Sequence, residues 1–263
     1  MRTSSSKGWA DNMKNLLKLE FRKLKRQKSF YICTAIMIAL LLLSAVTTNA
    51  LIKTVPAFAG QLDRSGIDSM ITALSNSSFT LIVSIFTALT VCEDYEQQTV
   101  KNIFAKGYSR KIVYFAKMIS VWISTSIMFV IVVLASLGFG TIFFGIEEPG
   151  DLKFLGIIAV QYVTAMANVA LFFAISSTLR KNGSSIAAAI IAPMLMNIVL
   201  TLLDSFLRLE NFSTASIWIS SFLGDLSTQA ISSERLLFCL AASLAYILLF
   251  AFAGLQFNKK FEL

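Results

Sequence analysis

Histidine does not occur among the 263 residues of the chain. Its absence excludes Ser-His-Asp and Cys-His catalytic sites, histidine-ligated zinc sites and histidine proton relays. The phosphate-binding pattern G-x-x-x-x-G-K-S/T is also missing, so the chain does not bind ATP through that motif. Three cysteines occur without the spacing of metal ligands, and we interpret them as small buried hydrophobic residues: Cys33, Cys92 and Cys239. We therefore expect no catalytic residue, no metal site and no cofactor in this chain.

Charge is scarce as well. Charged residues make up 14% of the chain and hydrophobic residues 56%, whereas a typical soluble domain has about 25% charged residues. A helix of about 20 residues crosses the ~30 Å hydrocarbon layer of a bilayer, and one charge at mid-membrane costs roughly 2.5–3.5 kcal/mol. Six runs of 22 to 29 residues avoid Asp, Glu, Lys and Arg: Ser29–Ile52, Ser69–Cys92, Met118–Ile146, Phe154–Leu179, Asn182–Leu203 and Leu236–Asn258.

These runs predict an all-α integral membrane protein with six transmembrane helices in one domain, residues 13–258, followed by a short tail, 259–263. The expected spans are about 29–52, 69–92, 111–146, 153–179, 184–204 and 235–257. Between the last two spans, apolar residues stand among serines and threonines, which predicts a short helix in the outer leaflet. We expect residues 1–12 to be an unstructured extension, and the sequence leaves Met1 and Met13 both open as the start.

The basic residues indicate how the chain is oriented. Of 23 Lys and Arg, nine precede Ser29, five lie from Glu93 to Lys117, and two follow each of Leu179 and Asn258. These 18 basic residues fall on one side of a six-span protein, and the remaining five fall on the other side. By the positive-inside rule, both termini are cytoplasmic. We expect a multi-pass protein of the plasma membrane. The net charge of +8 is therefore a topology signal, with attraction to membrane lipids second, and it does not indicate nucleic-acid binding.

The segment from Met13 to Lys28 has an apolar stripe opposite a basic one, which predicts an amphipathic helix on the inner membrane surface. Leu17, Phe21 and Leu24 belong to the apolar side, and Glu20 is an acidic residue beside them. Two interpretations stay open: the helix is a membrane anchor only, or it is a lever that contacts a cytoplasmic partner.

The loop between the second and third runs predicts a short cytoplasmic helix. Glu93, Asp94 and Glu96 cluster where the dipole of that helix would be positive, and lysines follow where it would be negative. Gly107 is placed to end the helix in a left-handed cap. A patch at i, i+3 and i+4 is apolar: Val100, Ile103 and Phe104. A helix of about 11 residues spans only ~16 Å, so this helix needs a surface to sit on, either lipid headgroups or a soluble partner.

This loop resembles the inner loop of ABC-2 type permeases, the membrane subunits of bacterial ATP-binding-cassette exporters, including those that handle antimicrobial peptides. The family pattern is an acidic residue, Gly-Thr, Lys-Asn, a Gly, Ser-Arg, and a Lys at the third span. The matching positions here are Glu93 or Glu96, Thr99, Lys101, Asn102, Gly107, Ser109, Arg110 and Lys117. Gln98 departs from the pattern, since a Gly usually precedes the Thr. The resemblance covers about 25 residues in motif and nearly the whole chain in architecture.

The resemblance implies the fold of a type V exporter and a division of labour. A separate ATPase subunit, in two copies, would bind ATP and Mg²⁺, and the short helix would dock into it while the N-terminal helix braces against it. A second permease copy or a homologous permease would complete the transporter. The coupling residues carried over from the family are Glu93, Asp94, Glu96, Thr99, Val100, Lys101, Ile103, Phe104, Gly107 and Arg110. The apolar three would form a plug in the ATPase.

Polar stripes inside the spans are candidates for a substrate path. Asn76, Thr80, Ser84 and Thr87 share one face of the predicted second span, and Asn197 and Thr201 share a face of the fifth. The resemblance makes these stripes a lining for an amphipathic or hydrophobic cargo, for example an antimicrobial peptide. The alternative is that such side chains bond to their own helix or join neighbouring helices.

Other function classes remain open. An intramembrane enzyme is disfavoured, because the chain lacks histidine and has no buried acid pair. A secondary carrier or channel lacks an obvious relay, since no Asp, Glu, Lys or Arg lies within a run. A membrane scaffold without transport activity is the third alternative. Turnover of the partner ATPase that does not respond to this chain would favour it.

Overall fold

The computed structural model describes residues 3–54, 65–97, 99–145, 153–207, 214–227 and 231–260, and the side chains within them except those of 3–12, 101, 207, 214, 215 and 258–260. All regular structure in this part of the chain is helical. The α-helices are α1 (Thr3–Leu24), α2 (Lys28–Thr54), α3 (Gly66–Ser75), α4 (Ser77–Glu96), α5 (Thr99–Ala105), α6 (Arg110–Phe144), α7 (Lys153–Leu179), α8 (Asn182–Leu207), α9 (Ile219–Asp225) and α10 (Ser233–Lys260). A short 3₁₀ helix, Thr214–Ile217, precedes α9.

Six of these helices are long and apolar enough to cross a membrane, namely α2, α4, α6, α7, α8 and α10. The predicted six-span, all-α fold is confirmed. The central helix is α7, which packs against α3, α4, α6, α8, α9 and α10 and has the largest buried share of the six. By contrast, α2, α8 and α10 are mostly exposed along their lengths, as expected for helices whose surroundings are lipid.

The second predicted span is not one helix. It is divided at Asn76, where α3 ends and α4 begins in extended backbone with ψ 137°. The Asn76 side-chain oxygen accepts a hydrogen bond of 2.9 Å from the backbone N–H of Ser78. Polar side chains that bond to nearby backbone compete with continuous helix, and this explains why the uniform span predicted at 69–92 was wrong at this point. A capping box between Ser65 and Asp68 starts α3.

The N-terminal helix is longer than predicted. Met13 was expected to follow an unstructured extension, but α1 begins at Thr3 and runs to Leu24 without interruption. Extending an existing helix costs little compared with starting one, and residues 3–12 contain no proline to stop it. Turn residues 25–27 then separate α1 from α2, as expected.

A short helix does fold between the last two spans, as predicted. Phe222 of α9 and the following Leu226 are fully buried against Ile71 of α3, Ile157 of α7 and Cys239 of α10. This cluster ties α9 to the end of the bundle that also carries α3. We call this end the far side, and the end that carries α5 the loop side.

Candidate functional site

On the loop side, α5 is a separate helix with well-defined ends. Gly107, just beyond its C-terminus, has φ +84°, and its N–H donates to the Phe104 carbonyl at 2.9 Å. This conformation suits glycine, and the predicted left-handed end is confirmed. Ser109 then caps α6 by accepting from the N–H of Ile112 at 3.4 Å.

The acidic residues of the loop were predicted to lie at the start of this helix, but the structure places them elsewhere. Glu93, Asp94 and Glu96 lie in the last turn of α4, and Gln97 follows as its C-cap. Carboxylates at a helix C-terminus meet the negative end of the dipole. Here that cost is offset by tertiary partners from α1, α6 and the turn before α8, which a sequence pattern does not reveal.

The inner face of α5 is attached to the rest of the chain. Ile103 is buried in a cluster with Leu16 of α1 and with Ile112, Val113 and Ala116 of α6. Val100 is 2% exposed. Both residues had been assigned to the plug that enters a partner, but they are enclosed by their own chain. Ile103 thereby holds α5 against α1 and α6.

The outer face of α5 is free to meet another molecule. Asn102, Ala105 and Lys106 are exposed on it. Phe104 is half-buried at the edge, with the Arg110 guanidinium 5.9 Å from its ring centre. Thr99 is also half-buried. The side chain of Lys101 lies outside the described residues. This outer face, defined by Asn102, Ala105 and Lys106, is the surface that a partner can reach.

Beside α5, a buried ion cluster joins three helices. Asp94 of α4 is 2% exposed and pairs with Lys23 of α1 and with Lys117 of α6, whose Nζ is 2.5 Å from Asp94 Oδ2. Lys117 Nζ also donates to the Val91 carbonyl at 3.3 Å. A buried charge is tolerated only when it is paired. The cluster therefore fixes the relative positions of α1, α4 and α6.

The turn after α1 adds further polar contacts to α4. Gln27, in the turn after α1, donates from Nε2 to Thr90 Oγ1 at 3.1 Å and to Glu93 Oε2 at 3.2 Å. Burial lowers the pKa of Lys23, and the charge of Lys117 lowers it further, while Glu20 and Glu93 act in the opposite direction. Lys23 is thus an ammonium whose charge depends on acidic neighbours in both α1 and α4.

The predicted interfacial helix divides into a packed face and an exposed face. Leu24 and Glu20 are buried and Leu17 is half-buried, so these predicted residues lie against the chain. Phe21 is exposed, as are the lysines and arginine of the predicted basic stripe, Lys14, Lys18, Arg22 and Lys25. An exposed aromatic ring beside basic side chains suits a membrane surface.

Glu96 serves the turn between α7 and α8. One of its carboxylate oxygens accepts from the Asn182 backbone N–H at 2.8 Å, and the other accepts from the Asn182 side chain. In the same turn, Arg180 has φ +58°. Its guanidinium lies 5.3 Å from the ring centre of Tyr95. These contacts connect the end of α4 to the start of α8.

The residues of the predicted substrate path do not share one surface. Ser84 is buried and accepts from Asn168 Nδ2 of α7 at 2.9 Å, and its own hydroxyl donates to the Thr80 carbonyl. Thr87 is buried and bonds to its own helix. On α8, Asn197 and Thr201 are exposed, and Thr201 donates to the Asn197 carbonyl. Asn76 caps α4 and lies on the wall of a cavity.

Sequence reasoning missed the cluster around Asp94. Lys117 was noted only as a motif position. Lys23 and Gln27 lie within the segment Met13–Lys28 and were given no role of their own. One signal was present: Lys117 lies one residue before an uncharged run of 29 residues, Met118–Ile146, where an unpaired ammonium is costly. Among the described residues, no group of three or more acidic or cysteine side chains is placed to hold a metal ion.

Comparison with known families adds one finding to this geometry. A family model described as "ABC-2 family transporter protein" matches residues 16–204, from the buried Leu16 of α1 to near the end of α8. The matched range includes α5, the ion cluster and five of the six long helices. No curated protein matches the chain.

Proposed function

The chain belongs to the ABC-2 transporter family, and we propose that it is a permease subunit that moves an amphipathic or hydrophobic cargo across the plasma membrane. Family membership makes it a membrane component of an ABC transporter and implies a partner ATPase. In the proposal, ATP and Mg²⁺ bind to that ATPase, in two copies, and this chain contributes no catalytic residue.

The observation that carries the proposal is the two-sided arrangement of α5. Its inner face is packed on α1 and α6, and its outer face is exposed. A partner that moves the outer face therefore also moves the helices to which the inner face is attached. Since α6 is a long apolar helix of 35 residues that continues to the far side, this is a direct mechanical route from a soluble partner into the membrane.

The ion cluster supports the same route. Asp94 holds α1 and α6 to the end of α4, and Glu96 holds α4 to the start of α8. A displacement of α5 and α1 is thus transmitted to four long helices. It passes to α2 through the chain, because α2 directly follows α1, and to α4, α6 and α8 through these side-chain contacts. Of the two interpretations left open for α1, a membrane anchor only or a lever that contacts a cytoplasmic partner, we propose the lever.

The proposed orientation places the loop side in the cytoplasm. The exposed basic face of α1 and the exposed Lys106, directly after α5, lie on this side, as the positive-inside rule requires. A second permease, identical or homologous, is expected because α8 exposes most of its apolar surface. The cargo is inferred from a bundle whose long helices hold almost no charge, and an antimicrobial peptide has the required amphipathic chemistry.

The test is co-expression of the full chain with the ATPase encoded beside it, followed by purification through a tag on the permease. Ala105→Glu and Lys106→Glu change only exposed positions of the outer face, and each is expected to reduce the ATPase recovered. Lys53→Glu, the same charge reversal at the exposed far-side end of α2, is the matched control and is expected to leave recovery unchanged.

ATP hydrolysis in lipid nanodiscs, with and without candidate peptides, gives a second readout. Hydrolysis that rises with an amphipathic peptide in the parent complex, and does not in Lys106→Glu, would support both partner and cargo. Full ATPase recovery with both outer-face variants would refute the docking of α5.

A further inference from the structure

A cavity of about 340 Å³ lies between α2, α6 and the junction of α3 and α4. Its volume is within the range of about 300–1,000 Å³ that is usual for small-molecule sites. Along α2 its wall extends from Met37 to Thr48, which is roughly 16 Å at the rise of an α-helix. The cavity is therefore long and narrow, and it runs parallel to the spans in the half of the bundle toward the far side.

The lining changes character along its length. Toward the loop side it is apolar, with Met37 and Leu41 of α2 and Ile82 of α4. Toward the far side it contains hydroxyl and amide groups, among them Ser69 and Thr72 of α3 and Asn76 at the helix break. None of the described residues that line the cavity is Asp, Glu, Lys or Arg. An occupant that matches this surface has a hydrocarbon segment and an uncharged polar segment.

The cavity opens sideways. Leu40 and Leu43 of α2 both line it, and they are 41% and 58% exposed. Around a membrane-spanning helix such as α2, the surrounding medium is the acyl chains of lipids. A hydrocarbon chain can therefore enter from the side without crossing water.

One polar group at the far end lacks a partner. The Ser69 hydroxyl is buried and has no hydrogen-bond partner among the residues that the structure describes. Thr72 differs, since its hydroxyl donates to the Asp68 carbonyl. A polar atom enclosed in an apolar environment without a partner is costly. An ester oxygen near Ser69 would accept from its hydroxyl.

From these observations we propose that the cavity binds one acyl chain of a membrane phospholipid, with the lipid ester region near Ser69 of α3. The site is distinct from the proposed coupling surface, because it lies in the other half of the bundle and requires no ATPase. A lipid is favoured over water because most of the wall is apolar, and void space in a protein loses dispersion contacts that a hydrocarbon chain restores.

The test uses the purified full chain in nanodiscs that contain a phosphatidylcholine with a photoactivatable diazirine near the middle of one acyl chain. After illumination, labelled peptides are mapped by mass spectrometry. Labelling is expected to concentrate on Met37, Leu41 and Ile82. Two variants fill the cavity from different walls, Ala45→Trp from α2 and Ala73→Phe from α3. Each should lower labelling of these residues about tenfold. A tenfold loss of lipid occupancy requires only a small loss of binding free energy, which a few lost dispersion contacts supply.

Ala241→Trp, an equally bulky change at an exposed position of α10, is the matched control and should leave the labelling unchanged. Ser69→Ala removes the unpartnered hydroxyl without breaking a hydrogen bond, and it should lower labelling while the midpoint of thermal unfolding stays the same. Labelling spread evenly over the exposed faces of α2, α8 and α10 would overturn the proposal. So would labelling that both filling variants leave unchanged in folded protein. ATPase recovery is measured separately, so failure here leaves the coupling proposal intact.

Discussion

Lys117 and Asp94 form a buried ion pair, with 2.5 Å between the ammonium nitrogen and carboxylate Oδ2, at the point where α6 starts and α4 ends. Lys23 of α1 contributes a second ammonium to the same carboxylate. Two ammonium groups thus share one buried carboxylate, with Glu20 and Glu93 as further acidic neighbours of Lys23. The mutual repulsion of the two ammonium groups is tolerable only while Asp94 stays ionised and in place.

Asp94→Asn is therefore expected to be strongly destabilising. Removing the carboxylate takes the ion-pair partner away from the buried Lys117 and from Lys23, whose side chain is 27% exposed. Breaking a buried pair in this way costs roughly 3–5 kcal/mol. The double change Asp94→Asn, Lys117→Met removes one of these charges and should recover part of the loss. The measurement is the midpoint of thermal unfolding in nanodiscs.

The matched control is Asp225→Asn, which removes the carboxylate of a partly exposed pair with Arg235. Exposed pairs contribute about 0–1 kcal/mol, so this variant should unfold close to the parent. Equal midpoints for Asp94→Asn and Asp225→Asn would show that the buried cluster does not hold the loop side together.

Gln161 performs a similar joining role on the far side. Its Nε2 donates to the carbonyls of Ile71 and Leu226, both at 3.0 Å, and to Ser75 Oγ at 2.8 Å. The residue belongs to α7, and its partners belong to α3 and to the turn after α9. One buried amide thus ties two short helices to the central one.

Gln161→Leu should loosen α3 and α9 without affecting α5. Buried acceptors that lose their donor cost about 1–3 kcal/mol. Hydrogen–deuterium exchange followed by mass spectrometry should show faster exchange in Gly66–Ser75 and Ile219–Asp225 and an unchanged rate in Thr99–Ala105. Gln256→Leu, at an exposed position of α10, is the control. Faster exchange over the whole chain would mean general instability rather than a local tie.

The six spans could be predicted because burial in lipid leaves a composition signal in each helix separately. The break at Asn76 could not be predicted, since a polar side chain at this position is equally consistent with one position of a polar stripe along a continuous helix. The Asp94 cluster could not be assembled from the sequence, because its members come from α1, α4 and α6. Charge patterning assigned Asp94 to the dipole of the short helix, the family motif accounted for Lys117, and Lys23 had no assigned role. Periodicity identified the apolar patch of α5 but not which molecule covers it.

The position of Ile103 makes that last point testable. Ile103→Asp places a carboxylate inside the cluster of Leu16 and Ile112, where an unpaired charge is costly. It should lower the midpoint of thermal unfolding of the permease alone. Asn102→Asp, one residue away on the exposed face, introduces the same group and should not. If Ile103→Asp also lost ATPase binding, that loss would therefore result from destabilisation of the permease and not from removal of a contact with the ATPase. If the two variants were equally stable, the inner face of α5 would not be attached as described.

Close packing of α3 on α6 gives a sharp comparison between two glycines. A Cβ added at Gly140 would lie 2.9 Å from both the Gly66 Cα and the Ser69 Cβ, whereas a Cβ at Gly138 would meet nothing within 4 Å. Overpacking costs about 1–3 kcal/mol, but an alanine in open helix is favoured over glycine by roughly 0.5–1 kcal/mol. Gly140→Ala should thus lower the midpoint of thermal unfolding, and Gly138→Ala should keep or raise it. Both sites lie on α6, two residues apart, so helix propensity should change the unfolding midpoint in the same direction for both variants. If Gly140→Ala lowers the midpoint and Gly138→Ala raises it, helix propensity is excluded as the cause, and α3 packs against α6 at Gly140.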